Sequence, residues 1–196
     1  MVEVPEVGAF LLGAPKCGTT WLAEVLTQHP EICVSDPKEP NIVASHKGTF
    51  GRDDSEPDWV EYADCFGGDG LRIDCSVHAM ACPVAPLRVA NNWPNARLLI
   101  CLREPVSRTV SHWNMILDTK EDCENGADWS EFRSAWDDSR LSDDTLYGAA
   151  VARWLEHFER DSILLIEANR MPVSYTHLRA HETREDRVCR LRLEKK

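Results

Sequence analysis

The sequence predicts an α/β protein built on a parallel sheet with helices on both faces, and three observations carry that expectation. Apolar runs of strand length alternate with amphipathic stretches of helical period between residues 8 and 166. The first run, residues 8–12, passes through a glycine-bounded loop straight into a helix start, a strand-turn-helix unit. With 196 residues, 43% of them apolar, and no internal repeat, the chain has one domain's worth of material and enough for a core.

Taken in order, residues 8–12 form the first strand, and Thr19 and Thr20 open a helix that runs to about residue 28. The segment 31–35 (EICVS) is β-branched and closed by Asp36-Pro37, as expected of a second strand. A polar stretch rich in Gly, Asp and Ser extends from there to about residue 70, interrupted by a helical segment at 59–66. Residues 71–74 are the third strand and 83–92 a helix stopped near Pro94; the strongest strand, 97–102, follows. A helix then opens with Pro105 in its first turn and runs to about residue 117. Residues 122–128 read as loop and 129–136 as a short helix. Residues 142–160 read as one long amphipathic helix begun by Ser-Asp-Asp, with Leu146, Ala150, Trp154, Leu155 and Phe158 facing inward. The last strand is 162–166.

The formal charge of −11 argues against binding to nucleic acid or to an anionic membrane through the overall field. No apolar run approaches the length of a membrane span, and the acidic N-terminus carries no signal-peptide pattern, so a soluble cytoplasmic protein is expected. Eight cysteines are scattered without a C-x-x-C pair or other metal-ligand spacing, which predicts reduced, mostly buried thiols and no metal site.

The chemistry is concentrated in the first loop. Gly13 and Gly18 let the backbone turn sharply, and the helix opening at Thr19-Thr20 presents unsatisfied amides and the positive end of its dipole. Lys16 adds a full charge, so the loop reads as an anion site of phosphate size. A Walker A loop carries its lysine after the second glycine, whereas Lys16 lies between Gly13 and Gly18, which weakens an ATPase reading.

The stretch GAPKCGTTWL resembles the 5′-phosphosulfate loop of the sulfotransferases that use 3′-phosphoadenosine 5′-phosphosulfate (PAPS), whose core is P-K-x-G-T-T-[WA]-L; residues 15–22 match it throughout. The resemblance implies a three-layer, P-loop NTPase-like fold, PAPS as co-substrate with no metal, and donor contacts from Lys16, Cys17, Gly18, Thr19, Thr20 and Trp21. The family holds the 3′-phosphate with an arginine at a strand end and a serine eight residues on. LREPVSRTVSHW is similar to that signature and assigns the roles to Arg103 and Ser111. The carboxyl end of a parallel strand is where open α/β sheets bind ligands, and a forked guanidinium suits a phosphate. Arg108, on the same helix, is read as either a second contact or a surface charge. A magnesium-dependent phosphotransferase would want a carboxylate after a hydrophobic strand, and the sequence offers only Asp74 there.

Catalysis in the family also needs a base. Glu39 in PKEPNIV falls where glycan-type and many bacterial members carry a catalytic glutamate and is the first choice; His78 in DCSVHAM sits in about the place of the histidine base of cytosolic members and is the second. Cys75 stands where the glycan-type enzymes have a second lysine. The expected activity is sulfuryl transfer to a hydroxyl or amine of a small-molecule or glycan acceptor, the acidic chain suiting a weakly charged one. A P-loop nucleotide or small-molecule kinase and a non-catalytic adenosine-bisphosphate-binding module are the alternatives.

The last segment has a different character. VSYTHLRAHET at 173–183 resembles one reading frame of a transposase adaptor used for sequencing libraries, and DRVCRLRLEKK at 186–196 is similar to its remainder. Residues 173–196 hold seven basic against four acidic side chains in an otherwise acidic chain. The expectation is that residues 1–172 are the N-terminal part of a sulfotransferase domain and 173–196 an adaptor-derived tail. The fold is then incomplete at its C-terminus and the fragment inactive, with an exposed apolar face where the absent elements pack.

Overall fold

The computed structural model describes residues 4–170. Five parallel strands form the main sheet: β1 (Ala9–Gly13), β2 (Ile32–Val34), β5 (Leu71–Asp74), β6 (Arg97–Leu102) and β7 (Ile163–Glu167), in the order β2-β5-β1-β6-β7. A two-residue hairpin, β3 (His46–Lys47) with β4 (Gly51–Arg52), stands apart. The helices are α1 (Thr19–Leu26), α2 (Trp59–Asp64), α3 (Ala85–Asn92), α4 (Pro105–Thr119), α5 (Glu121–Glu124), α6 (Phe132–Asp137), α7 (Ser139–Ser142) and α8 (Tyr147–Leu155).

Every residue of β1 is buried, as the central strand of a doubly covered sheet should be. The crossover from β1 to β2 runs one way along the sheet and all later crossovers run the other, so the right-handed rule puts α1 on one face and the later helices on the opposite one. Phe10, Trp59, Tyr62 and Trp93 pack edge-to-face and tilted against one another beneath the sheet, with ring centroids 5.3–6.1 Å apart. The Trp93 indole donates to the Pro5 carbonyl at 2.8 Å. At the far edge β7 is mostly open: Leu164 and Leu165 are 56% and 53% exposed.

The expected fold class holds, and two of the strands fall on the predicted residues. The expected helix at 142–160 does not. The chain forms α7, then a bend through Asp143 to Leu146, then α8. Thr145 accounts for the break, because its hydroxyl bonds Thr109 Oγ1 at 2.8 Å and pins the backbone to α4 instead of letting it continue helically. Ala150, Trp154 and Phe158 face inward as expected, but Leu146 and Leu155 are 51% and 46% exposed. The first part of the expected loop at 122–128 is helical, within α5, and the short helix expected from Trp129 starts at Phe132 because Asp128 bonds the Ser130 amide and hydroxyl in a local turn. The adaptor-like stretch lies outside the described residues.

Candidate functional site

Four loops leave the carboxyl ends of the adjacent strands β2, β5, β1 and β6, and every residue expected to carry chemistry lies on one of them, on the first turn of α1 or on the first two turns of α4. This is the end of a parallel sheet where ligands bind, at the strand where crossover direction reverses.

The loop after β1 is fixed from both sides. The Ala14 amide donates to the Cys101 carbonyl of β6 at 2.8 Å, and the Met80 amide donates to the Leu12 carbonyl at 2.9 Å. A Cβ on Gly13, whose φ is +134°, meets the Val77 carbonyl oxygen at 2.3 Å, so only glycine lets these two loops approach. Gly18 caps α1 in the left-handed region; the helix has no side-chain cap and no acidic residue in its first turn. Its leading amides and positive dipole end therefore have no protein counterpart, the condition for holding an anion. Thr19 is buried, Gly18 and Thr20 are exposed, and Trp21 is half-buried. Lys16 lies in the left-handed region with φ 66°, and its Nζ reaches Met115 Sδ on α4 at 3.6 Å.

That contact brings Lys16 over the face of α4 that carries Ser111, one turn before Met115. Ser111 is 3% exposed and its Oγ has no hydrogen-bond partner. A buried hydroxyl without a partner is uncommon in a native fold and leaves room for an acceptor from outside the chain. Arg103 is half-buried at the end of β6, and Tyr147 on α8 donates to its carbonyl at 3.1 Å while touching Cys17 Sγ at 3.8 Å. Tyr147 thus joins the two halves of the site, and sequence reasoning did not single it out. The other helix start at the site is closed to anions: Glu104 caps α4 by accepting from the Val106 and Ser107 amides at 2.9 and 2.8 Å, bonds that hold its carboxyl below the usual range.

The two expected bases sit on neighbouring loops. Glu39, with its side chain 31% exposed, pairs with Lys38 at 2.5 Å. Its loop is stitched to the one after β5 by the Asn41 amide donating to Ser76 Oγ at 3.0 Å and the Cys75 amide to Ser35 Oγ at 3.3 Å. His78 lies in a 3-10 turn, Val77–Ala79, and is 8% exposed; the Trp154 indole donates to the Met80 carbonyl just after that turn at 3.1 Å. Asp74 is buried, accepting from the Tyr62 hydroxyl at 2.7 Å and the Ser76 amide at 2.8 Å. Both of its oxygens are committed inside the fold. Burial pushes the thiols of Cys75 and Cys101 up to about 12, so both stay protonated, and all seven cysteines among the described residues are free.

Arg108 is neither a surface charge nor an open ligand contact. It is fully buried and donates from Nη1 to His112 Nδ1 at 3.0 Å and from Nη2 to the Leu141 carbonyl at 3.0 Å. Guanidinium can only donate, so Nδ1 of His112 is the acceptor and its Nε2–H donates to Thr49 Oγ1 at 2.9 Å. Burial drives the His112 pKa down to about 3 and, with Arg52 nearby, that of His46 down to about 4. Both rings take up a proton on unfolding below their ordinary 6.5, so the unfolded state binds more protons in that window and stability falls as pH drops from about 6.5 toward 4. Denaturation midpoints measured between these pH values should decline, and His112→Gln should flatten the profile; a wild-type midpoint independent of pH would contradict this.

The geometry defines a class: an α/β protein with a lysine-bearing, glycine-bounded loop after its central strand and Ser111 on the helix that follows the next strand. Within that class the family is settled by comparison. The sulfotransferase domain model matches residues 8–172, and the chain belongs to that family. Among its relatives are the mouse heparan sulfate glucosamine 3-O-sulfotransferases 3A1 and 3B1, 23% and 22% identical over 179 residues; these cover 86% of this chain and 42% of each relative, so the chain spans less than half their length. A sulfotransferase crystal structure from Alicyclobacillus acidocaldarius superposes with a TM-score of 0.68 at 25% identity, covering 85% of this chain and 74% of the other.

Proposed function

We propose that the chain carries the donor-binding part of a PAPS-dependent sulfotransferase that moves a sulfuryl group to a hydroxyl or amine. The observation that carries this reading is the convergence of Lys16 and the uncapped start of α1 with the buried, partnerless hydroxyl of Ser111 on one face of α4. The residues fit the donor. The amides of Gly18 to Trp21, Lys16 and the threonine hydroxyls suit the 5′-phosphosulfate, and Arg103 and Ser111 suit the 3′-phosphate. In the in-line displacement the acceptor oxygen or nitrogen attacks sulfur and gives its proton to a base. Lys16 neutralises charge on the departing bridging oxygen. Glu39 and His78 are the candidates to take the proton. The committed oxygens of Asp74 leave the kinase alternative without its carboxylate.

The acceptor of the mouse relatives is a heparan sulfate glucosamine; here a formal charge of −11 favours an acceptor of lower charge density. No helix among the described residues is long and apolar enough to cross a membrane, and the free thiols favour a reducing compartment such as the cytoplasm. Residues 173–196 are proposed to stand outside the domain, a reading supported by the family match ending at residue 172 and tested by the nucleotide sequence of a longer contig.

Transfer of radiolabelled sulfate from PAPS to a panel of alcohols and amines tests the activity. Ser111→Ala should weaken adenosine 3′,5′-bisphosphate binding ~10-fold or more, the loss of one hydrogen bond to a charged group. Glu39→Gln should leave that binding intact whether or not Glu39 is the base. In the complete parent protein, donor binding without transfer to any acceptor would leave the non-catalytic module as the better description.

A further inference from the structure

Asp144 lies in the bend between α7 and α8, 5% exposed, and its Oδ2 has no hydrogen-bond partner. Three nitrogens surround that oxygen: His78 Nδ1 at 3.6 Å, His112 Nδ1 at 3.7 Å and Arg108 Nη1 at 3.8 Å. Two of them are already engaged. His112 Nδ1 accepts from Arg108 and so carries no proton, and Arg108 Nη1 gives one of its two protons to His112. The nearest donor that can face the carboxylate is then His78 Nδ1–H, at 3.6 Å, which turns Nε2, with its lone pair, away from Asp144.

We infer that Asp144 is a positioning residue for His78, and that the pair, rather than Glu39, supplies the general base. This rests on the sulfotransferase reading above. When the acceptor O–H or N–H attacks, its new bond to sulfur forms as the bond from sulfur to the bridging phosphate oxygen breaks. The acceptor proton passes to His78 Nε2, and adenosine 3′,5′-bisphosphate leaves with the bonding pair. Asp144 then faces an imidazolium, whose charge it balances. A separation of 3.6 Å is long for a hydrogen bond, as is common before substrate closes a site.

The surroundings favour this role. Burial raises the Asp144 carboxyl, but His78, His112 and Arg108 outweigh it and hold the group below its ordinary value, so it stays anionic. Arg108 fixes it from α4, Thr145 beside it is tied to Thr109, and α8 holds the far side of the His78 turn through Arg153 to the Ala81 carbonyl and Trp154 to that of Met80. Glu39 has no comparable support: it pairs with its chain neighbour Lys38, and its side chain is 31% exposed.

Two measurements test the assignment. Proton-nitrogen NMR of the unmodified chain, at a pH where the ring is neutral, should find His78 protonated at Nδ1 with Nε2 bare; the opposite tautomer overturns the proposal. This reading needs no activity, so it separates failure of the pair from failure of the sulfotransferase assignment, which adenosine 3′,5′-bisphosphate binding reports. In the active protein, His78→Ala and Asp144→Asn should each lower kcat by ~10²–10⁴-fold with donor affinity retained, and the double variant should be no slower than His78→Ala alone. Losses that multiply would make Asp144 merely structural, and an unchanged kcat in His78→Ala with loss in Glu39→Gln would return the base to Glu39.

Discussion

Lys16→Ala should lower kcat/KM for sulfuryl transfer by about 10³-fold, among the largest effects of any single change in the site. Lys16 is the one cationic side chain on the loop after β1, and the start of α1 beside it offers only neutral donors, its amides and the Thr19 and Thr20 hydroxyls. Charge builds on the bridging oxygen as the sulfur–oxygen bond breaks, so its neutralisation matters more in the transition state than in the bound donor. The loss should therefore fall mainly on kcat, with a smaller weakening of donor binding. Lys16→Arg should recover little, because a left-handed backbone at φ 66° and the neighbouring Met115 fix where the charge sits. Steady-state kinetics with PAPS as varied substrate measure the split, and a loss confined to KM would contradict the role.

Arg108→Ala should destabilise the fold by ~3–5 kcal/mol, read from the shift of the denaturant midpoint. The change strands Asp144 as a buried carboxylate with neutral neighbours and leaves the Leu141 carbonyl and His112 Nδ1 without their donor. Each orphaned group adds its own desolvation cost. Arg108→Ala combined with Asp144→Ala should be less harmful than the sum of the two, since the second change removes the charge that the first exposes. A single-variant loss below about 1 kcal/mol would show that the network contributes little.

How much of this could be seen in the sequence differs by kind of residue. The strands Leu71–Asp74 and Arg97–Leu102 were legible to the residue, because each is a short, mostly apolar run bounded by glycine, asparagine or proline turns. The anion loop was legible because its function is local: glycines, one lysine and a helix start lie within a few residues. Ser111 was found through the resemblance of LREPVSRTVSHW to a family signature, although only the fold shows that its hydroxyl lacks a partner. Arg108, His112, Asp144 and Tyr147 act through contacts between segments far apart in the chain, such as Thr49 with His112 across 63 positions, and no local pattern marks them. Asp144 was further hidden by an amphipathic pattern that runs unbroken through the bend where it sits. The Ser-Asp-Asp there was read as a cap, the commoner use of those residues, when Asp144 turns inward instead.

Calorimetric titration of adenosine 3′,5′-bisphosphate into the chain, in chelator and without magnesium, tests the central claim most directly. The account predicts binding at one site, weakened by Lys16→Ala and by Ser111→Ala. No binding of this nucleotide, with ATP bound only when magnesium is present, would contradict it.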